Sequence, residues 1–184
     1  MERGLEAGVS EAPQPLILTA TLDDASQAGF DALRERYFPP ERNMIPAHLS
    51  LFNQLPGERL EDIGEDLTRT AAEQSRIPAR VEGLRFLGKG VAYTLHAPGL
   101  VGLRHGLARG WEPWLGPQDR RKLSPHVTVQ NKVDPQAARE LHDYLRATFE
   151  PREATIEGVT LWRYLGGPWE LVQEFRFRGP PPLA

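Results

Sequence analysis

The sequence predicts an α+β fold of two similar lobes around a central groove. Three observations predict it. The tetrapeptide His48-Leu49-Ser50-Leu51 recurs 78 residues on as His126-Val127-Thr128-Val129. The same offset carries an apolar stripe at helical spacing, Leu60, Ile63, Leu67 and Ala71, onto Ala138, Leu141, Leu145 and Phe149. It also carries Arg85-Phe86-Leu87-Gly88 onto Arg163-Tyr164-Leu165-Gly166, and Arg42 onto Arg120. An internal duplication accounts for all three. The expected arrangement is bilobal with a pseudo-twofold, two antiparallel sheets facing the groove and helices on their outer faces.

The elements follow in order. Residues 1–13 are small and polar and read as a flexible tail. Pro15 to Leu22 is aliphatic and β-branched and reads as a strand. Asp23 or Asp24 can cap a helix to about Tyr37, with Phe30, Leu33 and Tyr37 on its apolar side, and Pro39-Pro40 ends it. Ala47 to Asn53 is the first motif strand. Leu55-Pro56-Gly57 turns into a helix over about Glu58 to Gln74. Pro78 to Leu87 and Val91 to His96 form a strand pair around Gly88-Lys89-Gly90. Pro98 opens a helix whose stripe is Leu100, Leu103, Leu107, Trp111 and Trp114. Gly116 to Pro125 is a polar, basic loop, and His126 to Asn131 is the second motif strand. Asp134 caps the next helix, with Pro135 at its first position. Strands over about Ala154 to Leu165 and Trp169 to Arg178 flank Gly166-Gly167-Pro168. Residues 180–184 read as a second flexible tail. One bilobal domain over 14–179 is expected, with a first motif lobe at about 42–96 and a second at about 120–178.

Composition excludes several classes. The 184 residues are 40% hydrophobic and 26% charged, with a net charge of −3. No global basic field draws in duplex nucleic acid. The absence of cysteine removes disulfides, thiol nucleophiles and thiolate metal sites. No apolar run approaches the ~20 residues of a membrane span, and no signal peptide is evident, so a cytoplasmic protein is expected. No Gly-rich phosphate loop or dinucleotide fingerprint appears.

The chemistry lies in the two motifs. A strand puts residues i and i+2 on one face, so each copy presents a histidine and a hydroxyl together. Imidazole titrates near neutrality, so one ring can accept a proton while the other donates one. Ser50 and Thr128 can hydrogen-bond non-bridging oxygens where charge builds up. Phosphodiester cleavage uses this set. A two-histidine metal site would lack a third protein ligand within the motifs, so no metal and no cofactor are expected.

The paired motifs resemble those of the 2H phosphoesterases, which include the bacterial proteins called 2′-5′ RNA ligases. The resemblance runs from roughly Pro15 to Arg178 and includes Phe52-Asn53-Gln54-Leu55-Pro56-Gly57, similar to the exit of the family's first motif. It implies hydrolysis of 2′,3′-cyclic phosphates of RNA ends or small nucleotides, with reversible 2′-5′ RNA ligation in some members. It implies His48 and His126 as acid and base, and Ser50 and Thr128 as phosphate ligands. One position departs. Many RNA-acting members carry an arginine five residues after the second motif histidine, where this chain has Asn131.

Strand parity adds candidates. Phe52 shares the parity of His48 and Ser50 and either stacks a base or fills the end of a sheet. Gln130 and Lys132 share that of His126 and Thr128, and Lys132 could meet a phosphate. Arg42 and Arg120 either reach the groove mouth or stay on the surface. His96, His105 and His142 read as structural, Trp111 and Trp114 as core, and Tyr164 and Trp169, which flank the Gly-Gly turn, as turn packing or else the rim of a ligand site. The expected partner is an RNA end or a small cyclic nucleotide, with no membrane and no obligate protein partner, in a monomer. The rival function is a nucleotide or RNA-end binding module that keeps the groove without catalysis.

Overall fold

A computed structural model describes residues 13–180. The expected tails, 1–13 and 180–184, lie outside it except for Pro13 and Pro180. The chain runs β1 (Leu16–Leu22), α1 (Asp24–Tyr37), β2 (Leu49–Leu55), α2 (Leu60–Glu73), β3 (Ile77–Phe86), β4 (Val91–His96), α3 (Pro98–Gly110), β5 (His126–Gln130), α4 (Pro135–Ala147), β6 (Arg152–Tyr164) and β7 (Trp169–Arg176). The α+β class and the order of elements agree with the sequence. The capping aspartates act as their short acceptors dictate. Asp23 accepts from the backbone N–H of Ser26 at 2.9 Å and of Thr155 at 2.7 Å, tying α1 to β6. Asp134 accepts from Gln136 N–H at 2.8 Å.

The strands form one antiparallel seven-stranded sheet in the order β2-β1-β6-β3-β4-β5, with β7 also on β6. Its two halves are the two expected sheets, joined where Ile77 to Val81 pair with Arg152 to Ile156. The halves are not contiguous stretches of chain. The hairpin β3–β4 follows the first motif but pairs with the second motif strand, β5. The hairpin β6–β7 follows the second motif but pairs with β1, the neighbour of the first motif strand. The sequence copies 42–96 and 120–178 therefore each contribute strands to both halves. Such an exchange locks the halves to each other by backbone hydrogen bonds as well as by a packed interface.

Register repeats with the sequence. Leu84 faces Tyr93 as Trp162 faces Leu171, and Phe86 faces Val91 as Tyr164 faces Trp169. The turn glycines Gly88 and Gly166 both take positive φ, 83° and 90°, which a side chain would resist. On α2 the buried residues are Ile63, Leu67 and Ala71, and on α4 they are Ala138, Leu141 and Leu145. Helix α2 packs on β6 and β7, α4 on β3 and β4, α1 on β5 and α3 on β3. Burying each large aliphatic residue of these stripes contributes roughly 1.5–3 kcal/mol, which is what holds the helices down. The motif strands β2 and β5 end the hydrogen-bonded path, yet they come back into contact with each other. The groove lies between these two edge strands. No helix among the described residues is long and apolar enough to cross a membrane.

Candidate active site

His48 immediately precedes β2, His126 opens β5, and both line one groove of about 390 Å³. They are held in the same way. His48 Nδ1–H donates to the carbonyl of Pro46 at 2.8 Å, and His126 Nδ1–H donates to the carbonyl of Ser124 at 2.8 Å. A carbonyl only accepts, so each tether fixes the proton on Nδ1 and leaves Nε2 as the basic nitrogen. Ser50 and Thr128 line the same groove. Four of the sequence candidates thus converge.

The other three do not. Both motif strands carry a β-bulge, at Leu51 between the pairs Thr19–Ser50 and Leu18–Phe52, and at Val129 between Ala92–Thr128 and Val91–Gln130. A bulge inserts one residue and breaks the alternation of faces. Parity therefore fails beyond Ser50 and Thr128. Phe52 is fully buried, its ring 5.2 Å from that of Trp111, and does not reach the groove. Gln130 is also buried, and its Oε1 has no hydrogen-bond partner among the described residues. Lys132 lies past the strand end in a left-handed conformation, φ 59°, exposed and away from the groove lining. Instead, Asn53 takes the groove-facing place one residue on. Arg120 turns back to the carbonyls of Leu115 and Glu112, and Arg42 is an exposed surface residue.

Two buried arginines hold the motif strands in place. Arg34 of α1 crosses to the second motif and donates from Nη1 to the carbonyl of Thr128 at 3.0 Å. Arg104 of α3 crosses to the first and donates from Nε to the carbonyl of Leu51 at 3.2 Å. Arg104 also donates to the carbonyl of Asp119, and its guanidinium lies 4.4 Å above the Phe52 ring. Asp119, itself buried, accepts from the backbone N–H of Asn53 at 2.8 Å and of Gln54 at 2.9 Å. An edge strand leaves such groups unpaired, and these charged side chains satisfy them. Asp119 also pins the basic loop 116–125 against the groove, which brings Arg121 and Lys122 into its lining. Neither Arg34 nor Arg104 stands out in the sequence as a site residue. The signal to be found was a charged residue on each helix's apolar face, four positions after Phe30 and after Leu100.

The two histidines do not share the same surroundings. Trp169 packs against His48, with ring centroids 4.7 Å apart and a 56° tilt. Burial, reinforced by the positive charges of Arg34 and His126 and opposed by the Pro46 carbonyl, lowers His48 from the ordinary histidine range to about 4. His48 is therefore neutral near pH 7, with about one molecule in a thousand protonated. Trp169 thus packs on a histidine of the groove and is not only turn packing. Among the described residues no group of three or more His, Asp or Glu stands arranged to hold a metal ion.

Residues 22–168 match the family model described as the 2′-5′ RNA ligase superfamily. The fold is similar to the crystal structure of TT0787 of Thermus thermophilus, with TM-score 0.64, 21% identity, and 90% of this chain and 98% of that chain covered. It is similar to E. coli LigT complexed with 3′-AMP, with TM-score 0.59, 17% identity and coverage of 90% and 98%. A structure described only as a phosphoesterase gives TM-score 0.58 at 19% identity, again covering 90% and 98%. LigT has also been crystallised with phosphate and with NADP+. Comparison with proteins of curated function found no significant match.

Proposed function

The chain belongs to the 2′-5′ RNA ligase superfamily, and from that premise we propose that it is a metal-independent phosphodiesterase that opens 2′,3′-cyclic phosphates of RNA ends or small nucleotides. The observation that carries this reading is the matched pair of tethered histidines, with a hydroxyl beside each, in one groove. Neutral His48 accepts a proton from water through Nε2 as the water oxygen attacks phosphorus. The bond from phosphorus to one ribose oxygen breaks, and protonated His126 gives its Nε2 proton to that oxygen. Ser50 and Thr128 donate to the non-bridging oxygens as negative charge grows there. Arg104, Arg121 and Lys122 supply positive charge along the same groove. The product is a ribose phosphomonoester, and exchange with solvent restores both rings. Attack by a ribose hydroxyl in place of water, through the same proton transfers, gives reversible 2′-5′ RNA joining.

His48 is assigned the base on magnitude. As the acid it would be in the required form in about a thousandth of molecules at pH 7, whereas as the base it is almost fully poised. The test is turnover of 2′,3′-cyclic nucleotides and short cyclic-phosphate-ended RNAs with chelator present. Turnover that survives chelator and vanishes in the His48→Ala/His126→Ala double variant is expected. Saturable binding of the same panel without product would refute catalysis in favour of a binding module.

A further inference from the structure

A second cavity, of about 270 Å³, adjoins the groove at His48, the one described residue that lines both. Two of its walls are indoles. Trp162 and Trp169 lie 6.1 Å apart between centroids at 55°. Its floor is made of hydroxyls already committed to one another: Thr21 and Thr160 share a hydrogen bond of 2.8 Å, and Thr19 accepts from Trp162 Nε1–H at 2.9 Å. Among the described residues, its rim carries Asp24, Asp31 and Glu174 against one cation, Arg176. Arg176 is engaged by Glu157 at 2.9 Å and Glu174 at 3.6 Å. The rim is thus net negative and repels phosphate, while the adjoining groove carries Arg104, Arg121 and Lys122 against one carboxylate among the described residues, that of Asp119, which is already taken up by the N–H groups of Asn53 and Gln54. A ligand spanning both would place its phosphate in the groove and a flat, uncharged part against the exposed faces of the indoles.

We propose that this cavity is a subsite for an uncharged aromatic heterocycle, the nucleobase of the terminal nucleoside whose cyclic phosphate lies between the histidines. The subsite deepens the phosphodiesterase reading and rests on it for the phosphate, not for the heterocycle. It also gives the groove a direction. At the equivalent positions of the duplication stand Leu84 and Val91, so the second lobe has no such indole pair. A groove with two matched histidines would accept a ribose phosphate in either sense. Aromatic walls on one side select one sense.

The probes are adenosine and ribose, titrated by calorimetry into wild type, Trp169→Ala and Trp169→Phe. Adenosine is expected to bind wild type, ribose is not, and inorganic phosphate in the groove should not displace adenosine. Trp169→Ala should bind adenosine about tenfold or more weakly, as loss of one stacking face implies, and Trp169→Phe should restore most of it. Circular dichroism and retained binding of inorganic phosphate show that the variants fold. Absence of adenosine binding, its displacement by phosphate, or unchanged binding by Trp169→Ala would overturn the subsite. Glycerol 1,2-cyclic phosphate has the reactive ring without a base and separates the two proposals. Equal kcat/KM for it and for adenosine 2′,3′-cyclic phosphate would refute the subsite with the chemistry intact. No turnover of either, with Trp169-dependent adenosine binding, would refute the chemistry and support the subsite.

Discussion

Replacing Trp169 by alanine should make His48 a more ordinary histidine. Its pKa of about 4 stands against a usual 6.5, a difference that disfavours the charged ring by roughly 3 kcal/mol. Burial is the largest cause, and Trp169 is the aromatic ring packed directly on the imidazole. Removing the indole admits water to one side of His48 while leaving Arg34 and His126 in place. A rise of about one unit is expected, since one wall of several is lost. In the proposed reaction His48 is the base and must be neutral, so kcat/KM is expected to rise with pH through the His48 pKa. At pH 5 wild type should keep about nine-tenths of its His48-limited rate, and Trp169→Ala about half. The assay is kcat/KM against pH on a cyclic nucleotide, paired with NMR titration of the His48 ring. The sign for stability follows from the same shift. Folding favours neutral His48, so its contribution is complete above about 6.5, declines as pH falls towards about 4, and is constant below that. An acid limb near 6.5 in wild type, or one unmoved in Trp169→Ala, would refute burial by Trp169 as the cause.

Three other changes probe separate parts. His48→Gln and His126→Gln should each lower kcat by about 10²–10⁴-fold in chelator, and the double variant should lose less than the product of the two, measured by single-turnover kinetics. Thr128→Val, which keeps the branched shape and removes the hydroxyl, should cost about 10²-fold in kcat with little change in melting temperature, read by initial rates and calorimetry. Gln130→Met removes a buried carbonyl oxygen that has no partner among the described residues, so denaturant unfolding should show a gain of about 1–3 kcal/mol with kcat unchanged.

Much of the fold was legible because the chain states it twice. The 78-residue offset seen in His48 and His126 reappears in hairpin register, in the turn glycines Gly88 and Gly166, and in the buried stripes of α2 and α4. What periodicity could not carry was the exchange of strands, because a copy's own residues do not say which copy completes its sheet. The site was legible up to the bulges. His48, Ser50, His126 and Thr128 precede Leu51 and Val129, and alternation places them correctly. Phe52, Gln130 and Lys132 follow, and one extra residue turned the first two inward and left the third past the strand end. Arg34, Arg104 and Asp119 were hidden for another reason. Their partners are backbone groups of strands distant in sequence, and only the closed fold brings those together.

Duplication supplies two imidazoles with the same tether, whereas the proposed reaction gives them opposite roles, one accepting a proton and one donating it. The difference cannot come from the motifs, whose local geometry matches down to the two 2.8 Å tethers. It has to come from residues at which the copies have diverged. Trp169 is one, and its counterpart Val91 is buried inside a strand that has neighbours on both sides. Among the described residues the hairpin β6–β7 has no strand beyond β7, so the end of β7 is free to carry an indole onto His48. The last strand, which makes the two halves of the sheet unequal, is thus what carries the indole onto His48. By the same token, grafting the asymmetry should move the chemistry. A variant that relieves His48 and buries His126 would be expected to exchange the two limbs of the pH profile rather than abolish turnover. Loss of the bell shape altogether would mean that the motifs, and not their surroundings, set the roles.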